Sequence, residues 1–116
     1  MIPVPLHKRK LRQRGFNQSV LLVKSISRLL NLETDYFTLM RIRYTETQTG
    51  LTLEERRKNV KGAFEATDNG NLNGKSVILV DDVATTGNTI NECARVLKKA
   101  GCERVVGLTL ARTAIY

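Results

Sequence analysis

One stretch, residues 77–90, constrains the fold of this chain more than any other. It consists of four apolar residues, the adjacent carboxylates Asp81 and Asp82, a short loop of Thr, Gly and Asn, and the start of an amphipathic segment. A short apolar run bounded by such a loop is typical of a buried strand. The stretch therefore predicts a strand, an acidic tip, an anion-binding loop and the beginning of a helix.

The residues that follow extend this stretch into a βαβ unit. The pattern predicts a strand at 76–80, a helix at 89–100 that stops at Gly101, and a last strand at 105–110. Two strands joined by a helix lie parallel in one sheet. We therefore predict an α/β fold, with a mainly parallel twisted sheet flanked by helices.

The first half of the chain predicts shorter elements. A second flanking helix at 17–31 begins at the cap Asn17, and a short helix at 54–59 follows a capping box. The apolar stripe of the first of these helices consists of Leu22, Val23, Ile26, Leu29 and Leu30. The remaining segments are a strand at 2–6, a basic loop at 6–15, a strand at 36–43, a loop at 44–52 and a turn-rich segment at 68–75.

The charge of the chain is concentrated in its first half. Residues 1–62 hold 13 Lys and Arg against 5 Asp and Glu, whereas residues 63–116 hold six of each, so the net charge of +8 comes from the first half. Such a surface favours phosphates of small molecules or of nucleic acid, with a merely solvated basic face as the alternative. The length of 116 residues fits one domain. No apolar run is long enough to insert into a membrane and no secretory signal is visible, so we expect a cytoplasmic protein with two reduced cysteines.

The chemistry of the site is predicted from the acid pair and the loop after it. Ligands of parallel sheets bind at the carboxyl ends of the strands, where Asp81 and Asp82 lie. Two adjacent carboxylates suit a pair of vicinal hydroxyls or a hydrated divalent cation. The loop at 84–89 offers backbone N–H groups at a helix N-terminus, and Gly87 lets the backbone approach a phosphate closely. Residues 70–76 resemble a P-loop but have one residue too few between the glycines and precede a strand, so we exclude that motif.

The stretch at 77–90 resembles the phosphoribosyl pyrophosphate (PRPP) signature of type I phosphoribosyltransferases. The segments at 3–6, 12–18, 41–51 and 55–64 resemble the ComF (competence protein F) family. Proteins of that family usually carry a four-cysteine zinc ribbon before this region. The chain looks like the transferase domain alone, residues 1–116, and we expect no direct zinc site.

The resemblance implies roles for individual residues. Asp81 and Asp82 would hold the ribose hydroxyls of PRPP together with Mg²⁺. The loop that would bind the 5-phosphate consists of Ala84, Thr85, Thr86, Gly87, Asn88 and Thr89. Candidates for the pyrophosphate-binding basic loop are Leu6, His7, Lys8, Arg12 and Arg14. Candidates for a lid over the site are Thr45, Gln48, Arg56 and Arg57.

The resemblance implies either of two functions. The first is transfer of the phosphoribosyl group from PRPP to an acceptor that the sequence does not reveal. The second is a non-catalytic phosphosugar- or nucleotide-binding module that acts in DNA uptake. Single-stranded DNA, competence proteins and a second copy of the chain (a homodimer) are candidate partners. No general base stands out, because the single histidine, His7, is expected to be a loop residue.

Overall fold

The structure, a computed structural model, describes residues 1–43, 52–67, 71–84 and 87–112. The strands in these residues are β1 (Ile2–Pro3), β2 (Leu39–Arg41), β3 (Phe64–Ala66), β4 (Ser76–Ala84) and β5 (Arg104–Arg112). The helices are α1 (Lys8–Arg14), α2 (Gln18–Leu30), α3 (Leu53–Val60) and α4 (Asn88–Lys99). None of these four helices combines the length and the hydropathy that a membrane span requires.

The main sheet has the strand order β1-β4-β5, and both pairings are parallel. Ile2 lies beside Leu79, and Val77 lies beside Val105. Helix α4 joins β4 to β5, as the apolar run, the amphipathic segment and the second apolar run predict. The α/β fold and the parallel βαβ unit are therefore confirmed.

Helices α2 and α4 cover opposite faces of this sheet. Leu79 packs in one cluster with Cys93 and Leu97 of α4, and all three side chains are fully buried. The neighbouring residue Val80 is also buried but lies outside that cluster, as does Val23 of α2. Since successive residues of a strand point to opposite faces, β4 is buried on both faces, which explains its unbroken apolar run.

The second sheet is a small antiparallel pair, β2 with β3, in which Arg41 lies opposite Phe64. We predicted a longer first strand, at 36–43, and no strand at the position of β3. The strand is shorter because the Asp35 carboxylate accepts hydrogen bonds from the backbone N–H groups of Phe37 and Thr38, each 3.0 Å long, which holds a turn there. Most of the predicted loop at 44–52 lies outside the described residues.

The predicted caps are present in α2 and α3, whereas the predicted apolar stripe of α2 is partly wrong. Asn17 caps the start of α2, and the capping box at the start of α3 is complete. Leu29 and Leu30, however, are 84% and 59% exposed. The buried face of α2 instead follows Ser19, Val23 and Ser27 at a spacing of four residues.

The segment predicted as a basic loop, 6–15, is mostly the helix α1, so that prediction is wrong in its secondary structure. His7 caps the helix start, and Gly15 ends the helix at φ 81°, with its N–H donating to the Leu11 carbonyl at 2.7 Å. Between these two caps stand only Lys, Arg, Gln and Leu, all of them strong helix formers. The density of positive charge suggested a loop, whereas the backbone preferences of the same residues favour a helix.

Candidate functional site

The acid pair lies inside β4 and not beyond its end, because the strand continues to Ala84. Asp81 stands beside Thr109 of β5 in the parallel register. On the other side, β1 ends one residue before the pair: Pro3 lies beside Val80, and the Val4 N–H donates to the Val80 carbonyl at 2.8 Å. The pair therefore lies at the carboxyl edge of the parallel sheet, where ligands of such folds bind.

Asp81 is held by two hydrogen bonds to one of its oxygens. Its Oδ1 accepts from the backbone N–H of Asp82 at 2.9 Å and from the Ser19 hydroxyl at 3.3 Å. Burial, and secondarily the neighbouring Asp82 carboxyl, raises the pKa of Asp81 to about 6. Asp82 is fixed in turn, because its Oδ1 accepts from the Val83 N–H at 2.9 Å. Two crowded carboxyls make a site that a cation or a diol would stabilise.

Asn17 and Ser19 bring the start of α2 to this acid pair. The Asn17 Oδ1 accepts from the Ser19 and Val20 N–H groups, and its Nδ2 donates to the Val4 carbonyl at 3.2 Å. One side chain thus caps α2 and joins the helix to the end of β1. The sequence indicates Asn17 as a cap, but nothing in it connects Ser19 with an aspartate 62 positions away. We call the acid pair together with the starts of α2 and α4 the acid end.

The start of α4 supplies the other half of the acid end. Gly87 is the N-cap at φ 80°, and a glycine has no side chain with which to cap this helix. A small cleft of about 30 Å³ lies between Asp81 and the helix start. Its lining includes Asp81 and the predicted phosphate-loop residues Ala84, Gly87, Asn88 and Thr89. Thr85 and Thr86, predicted for the same loop, lie outside the described residues.

The candidate pyrophosphate residues lie on α1 and just before it, so they follow β1 at the same edge of the sheet. Lys8, Arg12 and Arg14 are exposed, and no residue of α1 is buried. Leu6 is half-buried in the connection from β1. The His7 Nδ1 accepts from the Arg9 N–H at 3.2 Å, so this ring is occupied in capping the helix.

Of the four lid candidates, Arg56 and Arg57 lie on α3, which packs against α4. Arg57 is exposed, whereas the Nε of Arg56 is buried and makes no hydrogen bond within the described residues. Thr45 and Gln48 lie outside those residues.

Arg41 is a site residue that the sequence analysis missed. Its guanidinium carbon lies 5.0 Å from the centroid of the Phe64 ring, and Asp81 is one of the charges that act on its pKa. Burial lowers the pKa of Arg41, while Cys93 and Asp81 oppose that effect. Arg41 lies on β2, which pairs with β3, and β3 has no clear signal in the sequence.

The donor set of the acid end fits a magnesium ion that is bound together with a phosphorylated ligand. Mg²⁺ prefers oxygen ligands and is commonly held by one or two carboxylates plus phosphate and water. Asp81 and Asp82 supply such carboxylates. Burial raises the pKa of Asp81, and a cation nearby would favour its ionised form. In the described part of the chain, no three His, Cys, Asp or Glu side chains cluster as a metal cage would require.

Comparisons with known proteins agree with this geometry. The family model described as "Phosphoribosyl transferase domain" matches residues 17–114. The chain is 41% identical over 113 residues to Competence protein F of Haemophilus influenzae, and 39% identical over 113 residues to the DNA utilization protein YhgH of Escherichia coli K12. It is 32% identical over 114 residues to Competence protein ComFC of Bacillus subtilis.

These alignments cover 97% of the chain but 49%, 49% and 44% of the three relatives, so the chain spans about half the length of the proteins it matches. The matched family model includes β4, α4 and the acid pair, which also carry the geometry of the acid end. The chain therefore belongs to the phosphoribosyl transferase family and, within it, to the ComF proteins.

Proposed function

We propose that the acid end binds PRPP together with Mg²⁺. Asp81 and Asp82 take the two ribose hydroxyls, and the loop from Ala84 to Thr89 takes the 5-phosphate. The observation that carries this proposal is the cleft between Asp81 and the start of α4, which Gly87, Asn88 and Thr89 line. Anions are stabilised at such a helix N-terminus, and vicinal hydroxyls donate to carboxylates.

The ligand's diphosphate requires positive charge, which this chain offers on two helices. α1 follows β1 at the edge of the acid end, and α3 packs against α4. When bound, Mg²⁺ supplies further charge neutralisation of the diphosphate. The protein's own residues hold the ribose, and its cations stabilise the departing diphosphate if the phosphoribosyl group is transferred from ribose C1.

Calorimetry with PRPP and Mg²⁺ tests the ligand, with Asp82→Asn as the control variant. We expect heat of binding with wild type and a strongly reduced signal with the variant. Absence of binding by wild type would reject the ligand assignment. Release of pyrophosphate in the presence of a panel of bases and amines then separates a transferase from a binding module, because a module binds PRPP without cleaving it.

A second function, binding of single-stranded DNA, is favoured by α1. The helix carries Lys8, Arg9, Lys10, Arg12 and Arg14 in seven residues with no buried side chain, and Phe16 just after it is 46% exposed. Basic surfaces beside exposed aromatic rings bind single strands through phosphate contacts and base stacking. Two relatives are named for competence and one for DNA utilization, and we extend these processes to this chain as a proposal. A steep salt dependence of the affinity for an oligonucleotide is the expected result, and a flat one would reject this function.

We further propose that residues 1–116 act as one domain, in the cytoplasm. Competence proteins and a second copy of the chain remain candidate partners. Gel filtration with light scattering would decide whether the domain forms a dimer.

A further inference from the structure

The C-terminal end of α3 is bonded to an arginine that lies two residues after β2. The Arg43 Nη2 donates to the carbonyl of Asn59 at 2.9 Å and to that of Lys61 at 2.6 Å. The last carbonyls of a helix have no partners within the helix and carry the negative end of its dipole. A guanidinium at this position therefore satisfies two acceptors and complements the dipole at once.

The same end of α3 is fastened to α4 by a buried carboxylate. The Glu92 Oε1 accepts from the Gly62 N–H at 3.1 Å, just after α3, where the backbone adopts φ 74°. The side chain of Arg95 holds Glu92 in place with bonds of 2.6 Å and 3.1 Å, and Glu92 is only 9% exposed. These bonds, that of Arg95 foremost, lower the pKa of Glu92.

The Glu92 contact lies close to the start of α4. Glu92 follows Asn88, the first residue of α4, by four positions, which is about 6 Å along the helix axis. The turn after α3 is therefore fixed about one helical turn from the start of α4.

Packing alone does not require a charge at this position. A nearly buried carboxylate is costly unless it is paired, and an apolar side chain of similar volume often stabilises a protein as well or better. What a paired charge adds is one defined arrangement of the groups around it. The groups fixed here include the cations of α3, where Arg57 is exposed and the Nε of Arg56 is buried without a hydrogen bond within the described residues.

We infer that Glu92 and Arg43 are positioning residues, which hold the basic helix α3 where its arginines meet the diphosphate of PRPP. The inference rests on the proposed PRPP site and names the part of the ligand that depends on α3. Ribose 5-phosphate has the hydroxyls and the 5-phosphate but lacks the diphosphate. Its binding therefore depends on the acid pair and the start of α4 and not on the placement of α3.

The first measurement needs no ligand. Glu92→Met and Arg43→Met remove the two contacts while keeping most of the side-chain volume. We expect hydrogen exchange of the α3 amides to become about tenfold faster in each variant, as loss of a hydrogen bond to a charged group implies. Arg95→Met is the matched control, since it removes the ion pair on α4 but leaves the bond from Gly62 to Glu92, and we expect a smaller change.

The second measurement compares two ligands by calorimetry in the presence of Mg²⁺. In Glu92→Met and Arg43→Met, the affinity for PRPP should fall about tenfold while the affinity for ribose 5-phosphate stays within about twofold of wild type. Glu92→Gln keeps an acceptor for the Gly62 N–H and should recover most of the PRPP affinity. A purely structural role would lower both affinities together.

Three outcomes would overturn the inference: unchanged exchange of α3 in both variants, an equal loss of both ligands, or no recovery by Glu92→Gln. Failure of wild type to bind PRPP is a different result. It would remove the proposed function and with it the diphosphate role, whereas the exchange rates would still decide whether these two residues hold α3.

Discussion

The acid end and the helix α1 lie at the same edge of the sheet but are built in opposite ways. The acid end depends on contacts between distant parts of the chain, such as the hydrogen bond from Ser19 to Asp81. Helix α1 depends on its own caps, His7 and Gly15, and buries no side chain. The first region is fixed by the global fold, whereas the second can open locally without disturbing it.

This difference predicts how the two regions recognise ligands. At the acid end a few groups act in a partly buried environment, where each hydrogen bond to a charge has a large effect. On α1, Lys8, Arg12 and Arg14 are exposed to water and salt, so each contributes little and their effects add. The acid end is suited to one defined small molecule, and α1 to an extended polyanion.

The largest effect should come from the acid pair. Asp82→Asn removes a charged acceptor for the ribose hydroxyls, and we expect the affinity for PRPP with Mg²⁺ to fall on the order of 10–100-fold. Calorimetry of this variant and of Glu103→Gln, an exposed carboxylate, checks the prediction. Equal losses in the two variants would show that only net charge matters, and the contrast between the regions would disappear.

The acid pair should favour binding of the ligand but lower the stability of the folded protein. Asp81 has a pKa of about 6, raised chiefly by burial from 3.8, so between these pH values the folded protein holds more protons than the unfolded chain. This carboxyl therefore destabilises the fold increasingly as the pH rises through that window. We expect Asp81→Asn to be more stable than wild type at pH 7 by about 1 kcal/mol after screening by solvent, with a smaller difference at pH 4.5.

Urea unfolding of both proteins at the two pH values measures this difference. Asp35 and Glu92 have lowered pKa values, so their contributions to stability increase with pH. Both are present in wild type and in Asp81→Asn, so the difference between the two proteins reports Asp81 alone. A difference that does not grow with pH would mean that Asp81 is as well solvated as the charges of α1.

The sequence predicts the acid end in part, for a reason that β4 and α4 make clear. Their pattern is local: an apolar run buried on both faces, two acids, a loop and a helix occur in direct succession. The rest of the site comes from pairings between segments that have no common pattern. Ser19 reaches Asp81 because α2 lies on the sheet, and the electrostatic link between Arg41 and Asp81 involves β2, which pairs with the three residues of β3.

Helix α1 was mispredicted although its signals are local. Its charge density favoured a loop, while its helix-forming residues and the glycine at its end favoured a helix. The composition of the segment correctly predicted a basic surface but wrongly predicted a loop. Where no side chain of a surface helix is buried, periodicity gives no information, and only caps and propensities remain.

A moderate effect is expected at the start of α4. Gly87→Ala places a Cβ 3.9 Å from the Asn91 Nδ2, which is ordinary contact, so the cost comes from φ 80° and is about 1 kcal/mol. Gly74→Ala is the matched control, with φ 72° and open space around the added carbon, in the turn before β4. We expect similar losses of stability in urea, but a several-fold loss of PRPP affinity only for Gly87→Ala. Equal affinities in the two variants would remove this glycine from the binding loop.

The smallest effects should come from α1, and their dependence on salt distinguishes them. Arg12→Gln and Arg14→Gln should each lower the affinity for a single-stranded oligonucleotide about two- to threefold at moderate salt and leave unfolding unchanged. Removal of one phosphate-binding cation should reduce the slope of log affinity against log salt by about 0.7. Anisotropy titrations at several salt concentrations measure both quantities, with Lys98→Gln and Lys99→Gln at the far end of α4 as controls. If those controls reduce the slope as much, the nucleic acid responds to the overall charge of +8 and not to the helix.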